Sequence, residues 1–211
     1  MALAEGLECI TLRRIAEQLD VRPGLVSHYF PAVEDLVAEA FGKAAGGELD
    51  TLILAQRPDG TPLHHLARFF SLAAGAAYDD ISRLWLNARH LSRYRPVLRE
   101  RVTVQEAAWR GRLEGLLHEG VEQGELHTDD PYVTAIQILV VIDGLGAQAN
   151  TDTGTGTGGR PDAVTRMAVL TAERELGLED GTLARYATPE TGAAAPAESV
   201  APGSPGKAPA Q

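Results

Sequence analysis

The 211-residue sequence predicts an all-α protein in which a pair of short helices near the N-terminus precedes a longer helical body. Three observations carry that prediction. Apolar residues recur at the i, i+3, i+4, i+7 spacing of one buried helical face, as in Leu12, Ile15, Ala16 and Leu19. Helix starts are signalled by Thr11, Pro23 and the Asp130–Pro131 pair, residue types that satisfy, or do not need, the free N–H groups of a first turn. The run "DDPYVTAIQILVVIDGLG" is rich in β-branched residues, but its length and its start signal favour a helix over a buried strand.

In order along the chain, Thr11 caps a first helix of about nine residues. Asp20, Val21 and Arg22 form a short connection. Pro23 then opens a second helix with Val26 and Phe30 on its inner face, which turns Gly24, Ser27 and His28 outward, and Pro31 ends it. A third pattern sets Leu36, Val37, Ala40 and Phe41 against Glu34, Asp35 and Glu39. Gly46 and Gly47 either interrupt that helix or are passed over, since Leu49, Leu52 and Ile53 continue the pattern. "QRPDGTP" at 56–62 is a loop by its Pro and Gly content. Helices are predicted over 63–77, 80–94, 96–124 and 131–149. The third of these has an apolar stripe of Trp109, Leu113, Leu116, Leu117 and Val121, with Glu106, Arg110 and Glu114 forming i,i+4 pairs on its outer side. "TDTGTGTGG" at 151–159 reads as a linker, because no strand precedes its glycines and no Gly-Lys-Ser/Thr ending follows them. A last helix is predicted from about Pro161 to Leu178. The tail 188–211, with 5 Pro, 3 Gly and 7 Ala, is expected to be disordered.

Composition narrows the function classes. A single cysteine, Cys9, excludes an intramolecular disulfide and leaves no thiol cluster for zinc, which suits a reducing cytoplasmic compartment. No apolar stretch is expected to reach the roughly 20 residues of a membrane span, and no basic-then-apolar leader begins the chain, so neither insertion nor export is expected. A net charge of −10 argues against a protein that coats nucleic acid indiscriminately, because such binding rests on Lys and Arg neutralising phosphates. Within residues 1–45 the bases Arg13, Arg14, Arg22 and Lys43 meet seven acids, leaving −3, which any DNA-reading role must accommodate.

"TLRRIAEQLDVRPGLVSHYF", residues 11–30, is two short helices joined by a tight turn, and the second is sized for a major groove about 12 Å wide. Such pairs also occur in ordinary helical cores, so the pattern by itself leaves both roles open. The wording is more specific. "TLRRIAEQLDVRPGLVSHYFPAVEDLVAEAF" resembles the TetR family of bacterial transcriptional regulators in its Thr before the first helix, the Ala of "IAEQL", the Val closing the turn, the Gly after it, and "HYFP" followed by an acidic-Leu helix. The Gly-Glu-Leu turn at 124–126, the "IDGLG" helix and a final helix extend the resemblance over residues 3–178. "GLVSHYF" and "VVIDGLG" resemble the choline and betaine regulator branch most, without naming an effector.

The resemblance implies a helix-turn-helix DNA-binding domain at 1–45 and a helical effector-binding and dimerisation domain at 46–187. It implies a homodimer through helices about 131–149 and 161–178, a near-palindromic double-stranded DNA operator, and a small-molecule effector whose binding releases a repressor from DNA. Carried over by position, Thr11 would cap its helix and touch a phosphate, and Arg22, Pro23, Gly24 and Leu25 would form the leading edge of the recognition helix. Arg22 could pair bidentately with guanine and Leu25 could meet a thymine methyl, while Ser27, His28 and Tyr29 can each hydrogen-bond a phosphate or base edge. The competing role for His28 or Tyr29 is to cap the domain core.

Two departures from the family stand out. After "HYFP" the family usually has Ser or Thr and then a phosphate-gripping Lys, where this chain has Ala32 and Val33, so weaker binding with a shallower salt dependence is expected. Only "MALAE" precedes Gly6, where the family has a full first helix. We therefore expect translation to start upstream or the chain to be truncated, with missing basic residues contributing to the −3 balance.

In the body, Trp85, Trp109, Phe69, Phe70 and Tyr78 are candidate pocket walls, with Arg89, His90 or His118 as polar anchors, although core or interface is the simpler role for each. An enzyme is not expected. His64 and His65 are adjacent, about 100° apart on a helix and poorly placed to share a metal, and no Ser-His-Asp spacing, nucleophile elbow or HExxH motif occurs. Asp79–Asp80 and Asp129–Asp130 sit where helices should begin, which makes capping their simplest role. No cofactor and no metal are implied. The alternative function is a helical sensor or interaction protein with a degenerate DNA-binding head.

Overall fold

The computed structural model describes residues 1–57, 59–74, 77–151 and 162–187, with the side chains of 77–79 and 151 left out. The expectations for the linker at 151–159 and the tail at 188–211 fall outside the described residues, Thr151 apart.

Among the described residues every regular element is helical. The head contains α1 (Ala2–Glu5), a 3-10 turn (Leu7–Cys9), α2 (Leu12–Gln18) and α3 (Pro23–Tyr29). Then come α4 (Val33–Leu52), α5 (Pro62–Ala73), α6 (Ala77–Ser92), α7 (Pro96–Glu122), α8 (Pro131–Thr151), α9 (Asp162–Thr165), α10 (Met167–Glu175) and α11 (Thr182–Ala187).

The start signals act as their chemistry requires. Thr11 Oγ1 accepts from the Arg14 N–H at 3.2 Å, and Asp130 Oδ1 accepts from the N–H groups of Tyr132 and Val133 at 3.0 and 3.2 Å. Pro23, Pro62 and Pro96 each occupy a first turn, where the missing N–H has no helical partner to lose. Asp80 lies inside α6, which begins earlier than its acids suggested, and is 3.5 Å from Arg83.

Helix α4 passes through Gly46 and Gly47 without a break. Its buried face of Leu36, Val37, Phe41, Ala45, Leu49 and Leu52 is uninterrupted, and each large side chain withdrawn from water contributes about 2 kcal/mol, more than the two glycines cost. The helix packs along α7. Gly42 lets them approach closely, since a Cβ there would lie 2.7 Å from Arg101 Cδ, and Arg101 reaches past it to Glu39 at 2.9 Å.

One apolar core runs from Leu7 in the head to Leu183 near the C-terminal end, with Phe41 of α4 edge-on to Trp85 of α6 at 5.0 Å. Helix α8 packs on α6, α7 and α10. By length and composition it could cross a membrane, against the expectation that no stretch could. Here it buries Ala135, Ile138 and Ile142, ion-pairs Asp143, and hydrogen-bonds Asn150 to Ser82 at 2.7 Å, as a helix packed against protein does.

The last predicted helix is two pieces, α9 and α10, separated at Arg166. Helix α11 packs on α5, and the fully buried Glu173 of α10 anchors it by accepting the N–H groups of Gly181 and Leu183 at 3.0 and 2.9 Å. Those bonds satisfy amides that α11 itself leaves without partners.

Candidate nucleic-acid interface and effector cavity

Helices α2 and α3 are joined through Leu19 to Arg22. Asp20 takes a left-handed conformation at φ +53, which a short polar side chain tolerates, and Val21 N–H closes the turn on Ala16 O at 3.0 Å. The turn holds α3 with Val26 alone buried among Pro23–Tyr29. Everything else on that helix faces solvent: Pro23, Gly24, Leu25 at 49% exposure, Ser27, His28 and Tyr29 at 72%. Neither His28 nor Tyr29 caps the core; the two rings stand edge-on to each other at 5.4 Å. Ser27 Oγ donates to Pro23 O at 3.2 Å, and Thr11, although exposed, already spends its hydroxyl on the cap of α2. Arg22 is the N-cap residue of α3, exposed and without an ion pair or side-chain hydrogen bond among the described residues.

The acidic balance of the head has a local explanation. Glu17 pairs with Arg13 and Glu5 with Arg14, both at 2.7 Å. Glu8, Glu34 and Glu39 are engaged by Asn87, Arg95 and Arg101 of the body. Those five carboxylates are thus engaged away from α3, while Arg22, Lys43, Asp20 and Asp35 make no ion pair among the described residues.

In the body, Trp85, Arg89 and Trp109 are brought together around a cavity of ≈ 210 Å³ between α4, α5, α6, α7 and α8. Phe70 is not part of it. It is buried elsewhere, and its neighbour Phe69 lines the cavity instead. His90 is exposed beside Tyr94, His118 is exposed 3.3 Å from Glu122, and Tyr78 falls outside the described side chains.

The cavity also holds charges that sequence reasoning did not place there, namely Glu48, Glu106, Arg110 and Asp143. Arg89 is shared between Glu106 at 3.0 Å and Asp143 at 2.8 Å, and its guanidinium lies 5.0 Å from the Trp85 ring centre. Burial works against the charge of Arg89, but its bonds to Asp143 and Glu106 outweigh that and raise its pKa. Glu106 therefore faces inward to Arg89 rather than pairing with Arg110 on the outer surface of α7.

Glu48 Oε2 accepts from Trp85 Nε1 at 2.8 Å, while Oε1 is buried without a partner. Burial pushes this carboxyl up to about 7, with the Asp143 charge adding to the rise and the Trp85 bond and Arg89 opposing it. Trp109, 7% exposed, has its indole N–H buried and unpartnered as well. Among the described residues no three His, Cys, Asp or Glu side chains gather as a metal site.

A signal for Asp143 was available in the sequence as the lone acid inside the apolar run "VVIDGLG". Glu48 offered none, since Glu39 and Asp50 on the same helix look alike in sequence yet stay exposed.

Comparison with known proteins agrees with this arrangement. A family model described as "BetI-type transcriptional repressor, C-terminal" matches residues 68–173. A transcriptional regulator from Saccharomonospora viridis, solved in complex with choline, aligns with a TM-score of 0.66 at 20% identity over 83% of this chain and 91% of that one. One from Pseudomonas aeruginosa PAO1 aligns at 0.64 with 23% identity over 88% of both chains. The regulator FadR from Bacillus subtilis, in complex with stearoyl-CoA, aligns at 0.60 with 20% identity over 83% and 91%. No curated protein matches the chain in sequence.

Proposed function

The chain belongs to the TetR family of transcriptional regulators, and from that premise we propose that it is a homodimeric, cytoplasmic repressor that reads a near-palindromic operator and leaves it when a small molecule fills the body cavity. Residues 1–45 are the DNA-reading head, 46–187 the effector and dimerisation domain, and 188–211 a tail. The observation that carries the reading is the exposed face of α3, with unpaired Arg22 at its leading edge. Arg22 takes the role of base reader, Gly24 admits close approach, Leu25 meets a thymine methyl, and Thr11, Ser27, His28 and Tyr29 serve the phosphates or base edges.

Release follows from linkage. A ligand that prefers the DNA-incompetent arrangement shifts the population by no more than its difference in affinity for the two states. Choline and stearoyl-CoA in the two neighbours differ so much in size that the shared fold does not name the effector. The cavity suits a small one, since ≈ 210 Å³ is the share of about seven waters. Binding, not turnover, is the activity proposed.

The test is selection of bound sequences from a random double-stranded DNA pool at low and moderate salt. Enrichment of a palindrome is the expected result. No enrichment at either salt would remove the DNA-reading role and leave a ligand- or partner-binding helical protein.

A further inference from the structure

We infer that Glu48 and Trp109 together form the polar anchor of the cavity, and that its ligand is a small protonated amine that keeps an N–H and carries an oxygen acceptor. The inference rests on the effector reading above and gives that effector a chemical class.

Glu48 and Trp109 both line the cavity, and each has a polar atom, the acceptor Glu48 Oε1 and the donor Trp109 Nε1, that is buried without a hydrogen-bond partner among the described residues. Buried polar groups are almost always hydrogen-bonded, because each one left alone costs about 1–3 kcal/mol. A ligand that completes the site therefore donates to Glu48 and accepts from Trp109. The charges choose the sign of the donor. Facing Glu48 are Trp85 and Arg89 from α6, Glu106 and Arg110 from α7, and Asp143 from α8, while α5 contributes only Phe69. Arg89 is already bonded to both Glu106 and Asp143. With Glu48 ionised, three carboxylates stand against two guanidiniums, and a monocation restores balance. Two indole rings and the side chains of Ile136, Leu139 and Ile142 enclose its apolar part.

A quaternary ammonium matches the charge but has no N–H to give to Oε1, so the site discriminates against it. The ionised state of Glu48 also ties ligand binding to pH. Its carboxyl is protonated below about 7 in the empty cavity, so a cation binds more tightly as the pH rises through that value. Glu48 lies on α4, whose N-terminal end follows α3 after residues 30–32, so one continuous helix connects the cavity to the DNA-reading head.

The test uses 2-(dimethylamino)ethanol and choline, which differ by one N–H replaced with a methyl, titrated calorimetrically into the full chain from pH 6 to 8. The tertiary amine is expected to bind at least tenfold more tightly than choline, and more tightly at pH 8 than at pH 6. Glu48→Gln is expected to remove both the preference and the pH dependence. Trp109→Phe, which keeps a ring and loses only the donor, is expected to weaken the amine several-fold, and it serves if Glu48→Gln fails to fold. Equal or tighter binding of choline, no binding of either probe at millimolar concentration, or full affinity in Trp109→Phe overturns the inference. The same protein is assayed against the random DNA pool. A selected operator with no amine binding sinks this inference alone, whereas absence of an operator sinks the regulator reading.

Discussion

Arg22 and Tyr29 sit on the same exposed helix and should fail differently. Arg22→Ala removes the one side chain of the leading edge that can address a guanine with two donors. It is expected to cost about 1–3 kcal/mol and to relax preference at one base position per half-site, read by repeating the selection with the variant. An equal loss on all sequences would make Arg22 a phosphate contact. Tyr29→Phe should weaken every sequence alike, and unchanged affinity would remove the hydroxyl from the interface. Glu48 has a signature of its own in stability. Its folded-state pKa of about 7 lies above the unfolded value of 4.5, so between those values the folded protein holds a proton that the unfolded chain has lost. Stability therefore falls as pH rises through that window, by about 3 kcal/mol at most. Glu48→Gln should flatten this part of the curve of Tm against pH, and an unchanged slope would show that Glu48 does not titrate there. At this scale the sequence was only partly legible. The α3 surface could be read from a 3.6-residue period, but Phe69 rather than Phe70 lines the cavity, and one residue turns a helical side chain by about 100°. Glu106 misled because an i,i+4 partner on its own helix was visible and Arg89, on another helix, was not.

The elements were more legible than the contacts between them. The apolar period located α2 to α8, and start residues fixed the beginnings of α2, α3 and α8 though not of α6, because those signals act within one turn of chain. What breaks α9 from α10 and what orders α11 are tertiary: the buried Glu173 reaches across to Gly181 and Leu183, and no local pattern reports that. The start of α4 is a case where a sequence departure has a structural consequence. Ala32 is its N-cap residue and offers no side-chain acceptor. Ala32→Ser should stabilise the protein by about 1 kcal/mol, seen as a rise in Tm. Adding Val33→Lys should tighten operator binding and steepen its salt dependence by about 1.8 in log–log slope, one added phosphate contact from each of two subunits, measured between 50 and 200 mM salt. An unchanged slope would mean that this helix start does not reach a phosphate. Helix α6 joins cavity to head more directly. Between Trp85 and Arg89 it carries Asn87, whose Oδ1 accepts the Leu7 N–H at 2.8 Å and whose Nδ2 donates to Glu8 at 2.7 Å. Asn87→Ala should leave ligand affinity of the free protein nearly intact while reducing several-fold the ligand's power to weaken operator binding. Undiminished coupling would place the transmission elsewhere.

Across the whole molecule, the feature that a single chain does not account for is the outward face of α8. Val133, Gln137, Val140, Gly144 and Gln148 follow one another at spacings of three or four residues and are all exposed, with Val140 at 63%. Met167 on α10 is exposed as well. A helix this apolar with an exposed stripe fits the dimer face proposed above, on which a symmetric copy would lay the same stripe. Gly144 gives a clean probe of that dimer, because a Cβ built there meets nothing within 4 Å in the protomer. A side chain at 144 therefore has room within the chain, and any steric harm must come from a partner lying close against the glycine. Gly144→Glu is expected to give a folded monomer, helical by circular dichroism and of half the mass by light scattering. It should also bind a full operator about 10²–10⁴-fold more weakly, because the second half-site is no longer delivered at high effective concentration. Binding to an isolated half-site should hardly change, since α8 packs on α6, α7 and α10 and not along α3. A variant that stays dimeric would move the interface off this face, and a monomer that keeps full-operator affinity would show that the two reading helices do not act as a linked pair.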